Sequence, residues 1–447
     1  MPWNDLLSNQ MVSFTDAQGG GFTLNAGQSN VNSLQCMTKA EALAKYNLDA
    51  ASMSSYASNQ LVPKSAWVNG VIVFSIGGGF DSVVDSIYPL SANGRVLVGG
   101  QFINYKGNTP PAKMVCLTQT GNTDTSFNTG GVGVASSSWS VYAIQELSNG
   151  KILVGGQFTQ YNGVTTNYFL RLNSNGTLDT TFNTGGVGAD FWVNSILVQS
   201  DNKIIITGRL FNYNNLTANC IARLNADGTR DTSFVMGSGF NGAVDGSTLQ
   251  SDGKIVAVGR FTSYNGTTCN NIVRLLSNGS IDPTFVIGVG FGPISASTGP
   301  TCVKQQSDGK LIIGGSFSTY KTISANKIIR LNSDGSIDNS FVVGAGFDSG
   351  VNKILIDANG SVVAVGSFTS YQSSPSNKII RLLNNGSIDN SFNVGSGLGG
   401  TNNIGMTVAQ DSVGNVWVGG FFTTYNNVLF RNIVRLDGNG TPNIVTT

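Results

Sequence analysis

Histidine is missing altogether from this 447-residue chain. That excludes histidine-ligated zinc, Ser–His–Asp triads and histidine general bases. Glutamate is almost missing as well, with Glu41 and Glu146 the only two. Charge is sparse at 11% of residues, and 25 basic groups balance 24 acidic ones. No bulk field therefore draws the chain to nucleic acid or to an anionic membrane, and neither is expected as a partner. The five cysteines (Cys36, Cys116, Cys220, Cys269, Cys302) are too few and scattered for a disulfide scaffold, and no CxxC occurs. They read as small buried apolar residues. No apolar run reaches 18 residues, so no helical membrane span is expected. The opening MPWNDLLSNQ has neither a basic stretch nor an apolar core, so no secretory signal is visible and synthesis in a cytoplasm is expected. No metal site or cofactor is expected.

Glycine, by contrast, is abundant, at 58 residues, about twice the usual share of ~7%. The glycines punctuate a repeat. GGQFINY (99–105), GGQFTQY (155–161), TGRLFNY (207–213), VGRFTSY (258–264), GGSFSTY (314–320), VGSFTSY (365–371) and GGFFTTY (419–425) are seven versions of one phrase. Their tyrosines lie 51 to 56 residues apart. A second phrase follows, as in RLNSNGTLDTTF (171–182) and RLNSDGSIDNSF (330–341), and a third precedes, as in LSNGKILVGG (147–156). Each unit holds about four short β-branched runs separated by NG or DG turns, the profile of a β-propeller blade.

The ends of the repeat suggest closure. The seventh unit stops at NIVRLDGNGTPNIVTT (432–447) without an IDxSF phrase, while VFSIGGGF (73–80) before the first unit matches SFVVGAGF (340–347) and places Phe74 53 residues before Phe127. The expectation is an all-β, seven-bladed propeller over 67–447, closed by one blade shared between the two ends. A shared blade would also remove the open sheet edges.

With FTxY, RLNxDGSIDxSF and a following GxGF in seven copies over about 71–441, the chain resembles the delta-60 repeat family of β-propellers. The resemblance implies a propeller and an extracellular or surface-associated protein, and brings no catalytic residues with it.

The repeated residues read as structure. Arg171, Arg223, Arg274, Arg330, Arg381 and Arg435 recur at one position, and in five units an aspartate follows eight residues later: Asp179, Asp231, Asp282, Asp338 and Asp389. These arginines are expected to tie strands or blades together, in preference to a ring of anion ligands. The first unit has Cys116 in place of the arginine yet keeps Asp124, so the aspartate must also serve its own turn. Asp334 and Asp338 in DGSID faintly suggest calcium, but the spacing of an EF-hand is absent and tight turns are the expectation. The repeated Phe of DxSF, the Tyr of FTxY and Trp417 are expected in the core.

Function is expected where the repeats disagree. ASSSWS (135–140), ADFWVN (189–194) and FGPISASTGPT (291–301) occupy equivalent connections and differ in each unit. Trp139, Phe191 and Trp192 thus fall in loops and are the candidate ligand or receptor contacts, set against the plainer reading that they fold down over the propeller.

Residues 1–66 lie outside the repeat. Thr38 and Glu41 form a capping box that predicts a short helix over about 39–47. The segment is too short for a core of its own and is expected to dock onto something. WNDLLSNQMVSFTDAQ and QCMTKAEALAKYNLDAS are similar to N-terminal regions of phage structural proteins. The combined expectation is a non-enzymatic virion component: 1–66 anchors it to other virion proteins, the propeller meets a host-surface glycan or protein receptor, and several copies assemble together. The alternatives are a bacterial cell-surface adhesion propeller, and a glycan-cleaving enzyme built on aspartates, since two suitably spaced carboxylates need no histidine.

Overall fold

The β-branched runs that end in Gly-Gly or Val-Gly become the middle strands of seven antiparallel sheets. Ile152–Gly156, Ile204–Gly208, Ile255–Gly259, Leu311–Gly315 and Val362–Gly366 are buried at every residue. Burial on both faces explains why these strands read as continuous apolar runs and do not alternate. In this computed structural model the described residues are 79–107, 112–135, 140–292 and 298–442, with six short strands between 11 and 72.

Every sheet has the same order: inner strand, middle strand, outer strand. In the second sheet these are Val141–Glu146, Ile152–Gly156 and Phe169–Leu172, and in the sixth Val351–Ile356, Val362–Gly366 and Ile379–Leu382. A single outer bridge follows in all seven, from Leu117–Thr123 and Leu172–Leu178 through to Leu436–Pro442. The inner strand carries a bulge near its start in every sheet. The bulge turns two consecutive side chains inward. The chain is all-β, with seven sheet repeats consistent with a seven-bladed propeller and no helix among the described residues.

Neighbouring sheets pack face to face at close range. A Cβ added to Gly155 would lie 2.7 Å from Val193 of the next sheet, so no side chain larger than hydrogen fits there without a shift. The FTxY tyrosines are buried, and each phenol donates to the carbonyl of the turn glycine 15 or 16 residues on. Tyr161 reaches Gly176 at 2.6 Å, Tyr213 reaches Gly228 at 2.8 Å and Tyr320 reaches Gly335 at 2.9 Å. A large ring can thus be buried with its one polar atom satisfied. Gly228 itself (φ +88) sits over the Phe182 ring, 2.8 Å from where its Cβ would be, which explains why the turn needs glycine.

The ends differ from expectation. The outer bridge of the seventh sheet is made by Pro442 with Leu436. GNGTPN (438–443) keeps the NG turn that positions the bridge although its IDxSF phrase has decayed, and that is why the strand looked missing. Residues 73–78, with Phe74, lie outside the described residues, as does the segment expected to form a helix over 39–47. The first and seventh sheets are nevertheless bonded. Phe80 N–H donates to Arg431 O at 3.0 Å, Asn432 Nδ2 donates to Phe80 O at 2.8 Å, and Arg435 Nη1 donates to Gln119 O at 3.1 Å. Before residue 79, Met11–Thr15 pairs with Gly21–Asn25, and Cys36–Thr38 pairs with Leu61–Pro63.

Candidate functional site

The repeated arginines are spent within the fold. Nε of Arg171, Arg223, Arg274, Arg330 and Arg381 donates to Oδ2 of Asp179, Asp231, Asp282, Asp338 and Asp389 at 2.6 to 2.8 Å. Nη1 of the same arginines reaches a turn carbonyl of the following sheet: Ala226, Ser277, Ser333, Asn384 and Gly438. Each guanidinium also lies 4.4 to 4.9 Å from its own unit's phenylalanine, Phe182, Phe234, Phe285, Phe341 or Phe392. Oδ1 of each aspartate accepts from the Thr or Ser two residues on, as Asp338 does from Ser340 N–H (3.0 Å) and Oγ (2.7 Å). One carboxylate thus closes its turn and holds the arginine. Although burial opposes it, the donors hold Asp282 well below the usual range, at about 2, and push the Asp179, Asp231 and Asp338 carboxyls lower still.

Two units depart. Arg435 pairs with Asp411 (3.1 Å), because its own unit has Asn443 where the aspartate belongs, and Trp417 is buried against that pair with Nε1 3.1 Å from Asp411. At Cys116 no arginine exists; Arg95 contacts Asp124 at 3.4 Å in its stead. Asp334 Oδ1 is taken by Ser336 within its own turn.

The loop candidates behave differently from one another. Trp139 lies outside the described residues. Phe191 and Trp192 stack at 5.0 Å and 8°. Trp192 also carries the Arg209 guanidinium 4.6 Å from its ring and approaches Tyr142 at 6.2 Å. Phe191 approaches Tyr168 at 6.1 Å and Phe211 at 6.4 Å. Both loop aromatics are half-buried, whereas Phe211 is 60% exposed. A groove of about 950 Å³ runs between the third and fourth sheets. Phe191, Phe211 and Arg209 form one wall, and Phe240, Asn241 and Arg260 the other. Trp192 does not line the groove; it backs Phe191. Phe211 escaped the sequence reading, yet it was visible there: TGRLFNY has Phe where the second, fourth, sixth and seventh copies have Thr.

Arg260 connects this groove to a central channel. It holds Asp245 with two bonds, Nε–Oδ2 at 2.8 Å and Nη2–Oδ1 at 2.6 Å, and both residues line the channel mouth. The channel is bounded by the inner strands of all seven sheets. Its first inward position, equivalent in each sheet, reads Asp85, Tyr142, Asn194, Asp245, Thr301, Asn352 and Met406. No residue recurs more than twice, so the units diverge here. Several of these side chains tie their strand to the next: Asn194 Nδ2 donates to Val244 O (3.2 Å), Thr301 Oγ1 to Val351 O (2.8 Å), Asn352 Nδ2 to Gly405 O (2.9 Å). Burial raises the Asp85 carboxyl, partly offset by donors from Ser140 (2.6 Å) and Gln101 (3.3 Å). Burial pushes the Tyr142 phenol up to about 12, Asp85 adding to it.

The signature of a "domain of unknown function (DUF5122) beta-propeller" matches residues 91–127, 147–182, 199–234, 250–285, 306–341, 358–392 and 414–443, more than half of the chain. The chain belongs to the DUF5122 β-propeller family. The seven matches coincide with the seven sheets, each running from the inner-to-middle turn to the outer bridge. No curated protein matches this propeller in sequence. Among solved structures it is similar to the extracellular domain of a one-component system from B. thetaiotaomicron, at 16% identity and a TM-score of 0.44, over 77% of this chain and 38% of that one. It is also similar to the WD40 β-propeller domain of Doa1, at 14% identity and 0.48, over 80% and 93%. A third likeness is to a gluconolactonase from Xanthomonas campestris, at 12% and 0.37, over 76% and 96%. The propeller spans well under half of the first of these chains.

Proposed function

We propose that the chain is a non-enzymatic recognition propeller, a closed seven-bladed ring whose groove between the third and fourth sheets binds a carbohydrate on a surface. The observation that carries this reading is the Phe191–Phe211 wall, stiffened from behind by Trp192 and Arg209 and facing Asn241 and Arg260. Sugar rings lay their C–H faces on aromatic side chains while the hydroxyls take amide and guanidinium donors. Two rigid rings cost little entropy to order, which suits a weak contact multiplied by copies. Bonds from the seventh sheet to the first support the closed ring.

The delta-60 resemblance of the repeats agrees with an outward-facing propeller. The finer placement on a virion, with residues 1–66 docked to other particle proteins, rests on the sequence of that segment alone. It is tested by asking whether the native protein is present in purified particles and whether deleting 1–66 abolishes its incorporation. The groove is tested by titrating host-surface glycans against the full chain. Phe211→Ala and Phe191→Ala should each weaken binding about tenfold, the scale of losing one aromatic anchor. Unchanged affinity in both variants rejects the groove, and release of reducing ends from the glycan rejects the non-enzymatic reading.

A further inference from the structure

The inner strands carry charge that the recognition groove does not use. Following the register of each inner strand against its middle strand, the second inward position reads Ser86, Ala143, Ser195, Gly246, Cys302, Lys353 and Thr407. The next inward position below it reads Tyr88, Gln145, Leu197, Thr248, Lys304, Leu355 and Ala409. Lys353 and Lys304 stand on adjacent inner strands and line the same channel, a cavity of about 310 Å³. No carboxylate stands at either level.

The nearby titratable groups are engaged with other partners or are uncharged. Asp245 is committed to Arg260, and Asp85 is held by Ser140 and Gln101 with its carboxyl raised by burial. The Cys302 thiol is buried and raised, so it stays neutral. The Tyr88 and Tyr142 phenols are raised as well. Among the described residues neither ammonium makes an ion pair or hydrogen bond, and the lysines that do have ion pairs, such as Lys151, Lys203 and Lys310, use them at the rim. Desolvation within the channel lowers both amines, and for Lys304 the charge of Lys353 adds to that. Channel water still reaches Lys304.

Two like charges on adjacent strands of one channel repel, and a doubly charged anion between them would remove that cost. We infer that Lys304 and Lys353 form a binding site in the central channel for a tetrahedral oxyanion, a phosphate or sulfate group. Thr248 and Thr407 stand on the channel wall at the same two levels and offer neutral hydroxyls. The site is separate from the aromatic groove and does not depend on it.

The test is calorimetric titration of the full chain with inorganic phosphate, inorganic sulfate and glucose 6-phosphate, at ionic strength held constant with chloride. Saturable binding is expected, with at least about a tenfold loss in Lys353→Met and in Lys304→Met. Preference for glucose 6-phosphate assigns the anion to a sugar, and preference for the inorganic ions assigns it to a free oxyanion. Phe211→Ala should leave phosphate affinity unchanged, so failure of the groove and failure of this site are told apart. A second readout guards against misfolding. Without phosphate, Lys353→Met should melt at or above the wild-type temperature, because repulsion is removed; with phosphate, wild type should gain stability and the variant should not. Absence of phosphate binding by wild type, or undiminished binding by the Lys304→Met/Lys353→Met double variant, overturns the site.

Discussion

At the outer rim, Arg223, Arg274, Arg330 and Arg381 make one set of contacts four times over: Nε to an aspartate, Nη1 to the next sheet's turn, Nη2 to a Ser or Thr hydroxyl at 2.9 to 3.1 Å. At the inner strands, seven equivalent positions hold five different residue types, from Asp85 to Met406. Rim residues bond to backbone that every unit possesses, so one solution serves all of them. Inner residues face shared space, and although Asn194, Thr301 and Asn352 also bond the next strand, they do so with different side chains. Sameness therefore marks what joins the sheets, and difference marks what the joined sheets are free to present. The Phe191–Phe211 wall lies between these extremes, on a repeated scaffold whose loop has been respelled in one unit.

The comparison can be broken most forcefully at the rim. Phe261→Ala should cost about 3–5 kcal/mol in denaturant unfolding, as an aromatic side chain removed from a fully buried layer. Arg330→Met should cost about 3 kcal/mol, because Asp338 loses its buried partner, keeping only Ser340 and the more exposed Lys310, and the Asn384 carbonyl loses its donor. Tyr320→Phe should cost about 1–3 kcal/mol by orphaning the Gly335 carbonyl. Arg95→Met should cost about 1 kcal/mol or less, since its single 3.4 Å contact is a poor copy of the rim pair. A penalty for Arg95→Met equal to that for Arg330→Met would refute the distinction drawn at Cys116.

Acid sharpens the same contrast. The rim carboxyls titrate lower when folded than unfolded, so their contribution is complete above about pH 5 and is lost as the pH falls toward about 2, the value for Asp282. Asp85 has the opposite sign: raised when folded, it favours the folded state more as the pH drops through 4. Unfolding midpoints between pH 5 and pH 2 should therefore decline less steeply in Asp282→Asn than in wild type, and more steeply in Asp85→Asn.

Much of the fold was legible because period, turn chemistry and apolar runs are properties of a single unit. NG and DG dipeptides carry their own backbone preference, and a run such as ILVGG declares burial on both faces without reference to its neighbours. Relations between units were harder. The arginine–aspartate spacing of eight could be read, but not that the same guanidinium crosses to the next sheet. The outer bridge at Pro442 was missed because proline and asparagine replaced the residues by which the phrase is recognised, while the glycine turn that fixes its position remained. Of the groove, Phe191 and Trp192 stood out as loop aromatics, whereas Phe211 was hidden inside a repeated phrase. Lys304 and Lys353 were invisible, since sequence spacing alone does not say which strand faces a channel.

The rim arginines all point one way along the chain, each sheet reaching for its successor. While the polypeptide emerges from its N-terminal end, a finished sheet must wait some fifty residues for the carbonyl that its arginine needs. Arg435 alone reaches backwards, to Gln119, made more than three hundred residues earlier. Joining the seventh sheet to the first therefore waits on nothing except the seventh sheet's own synthesis, because its acceptor is already made.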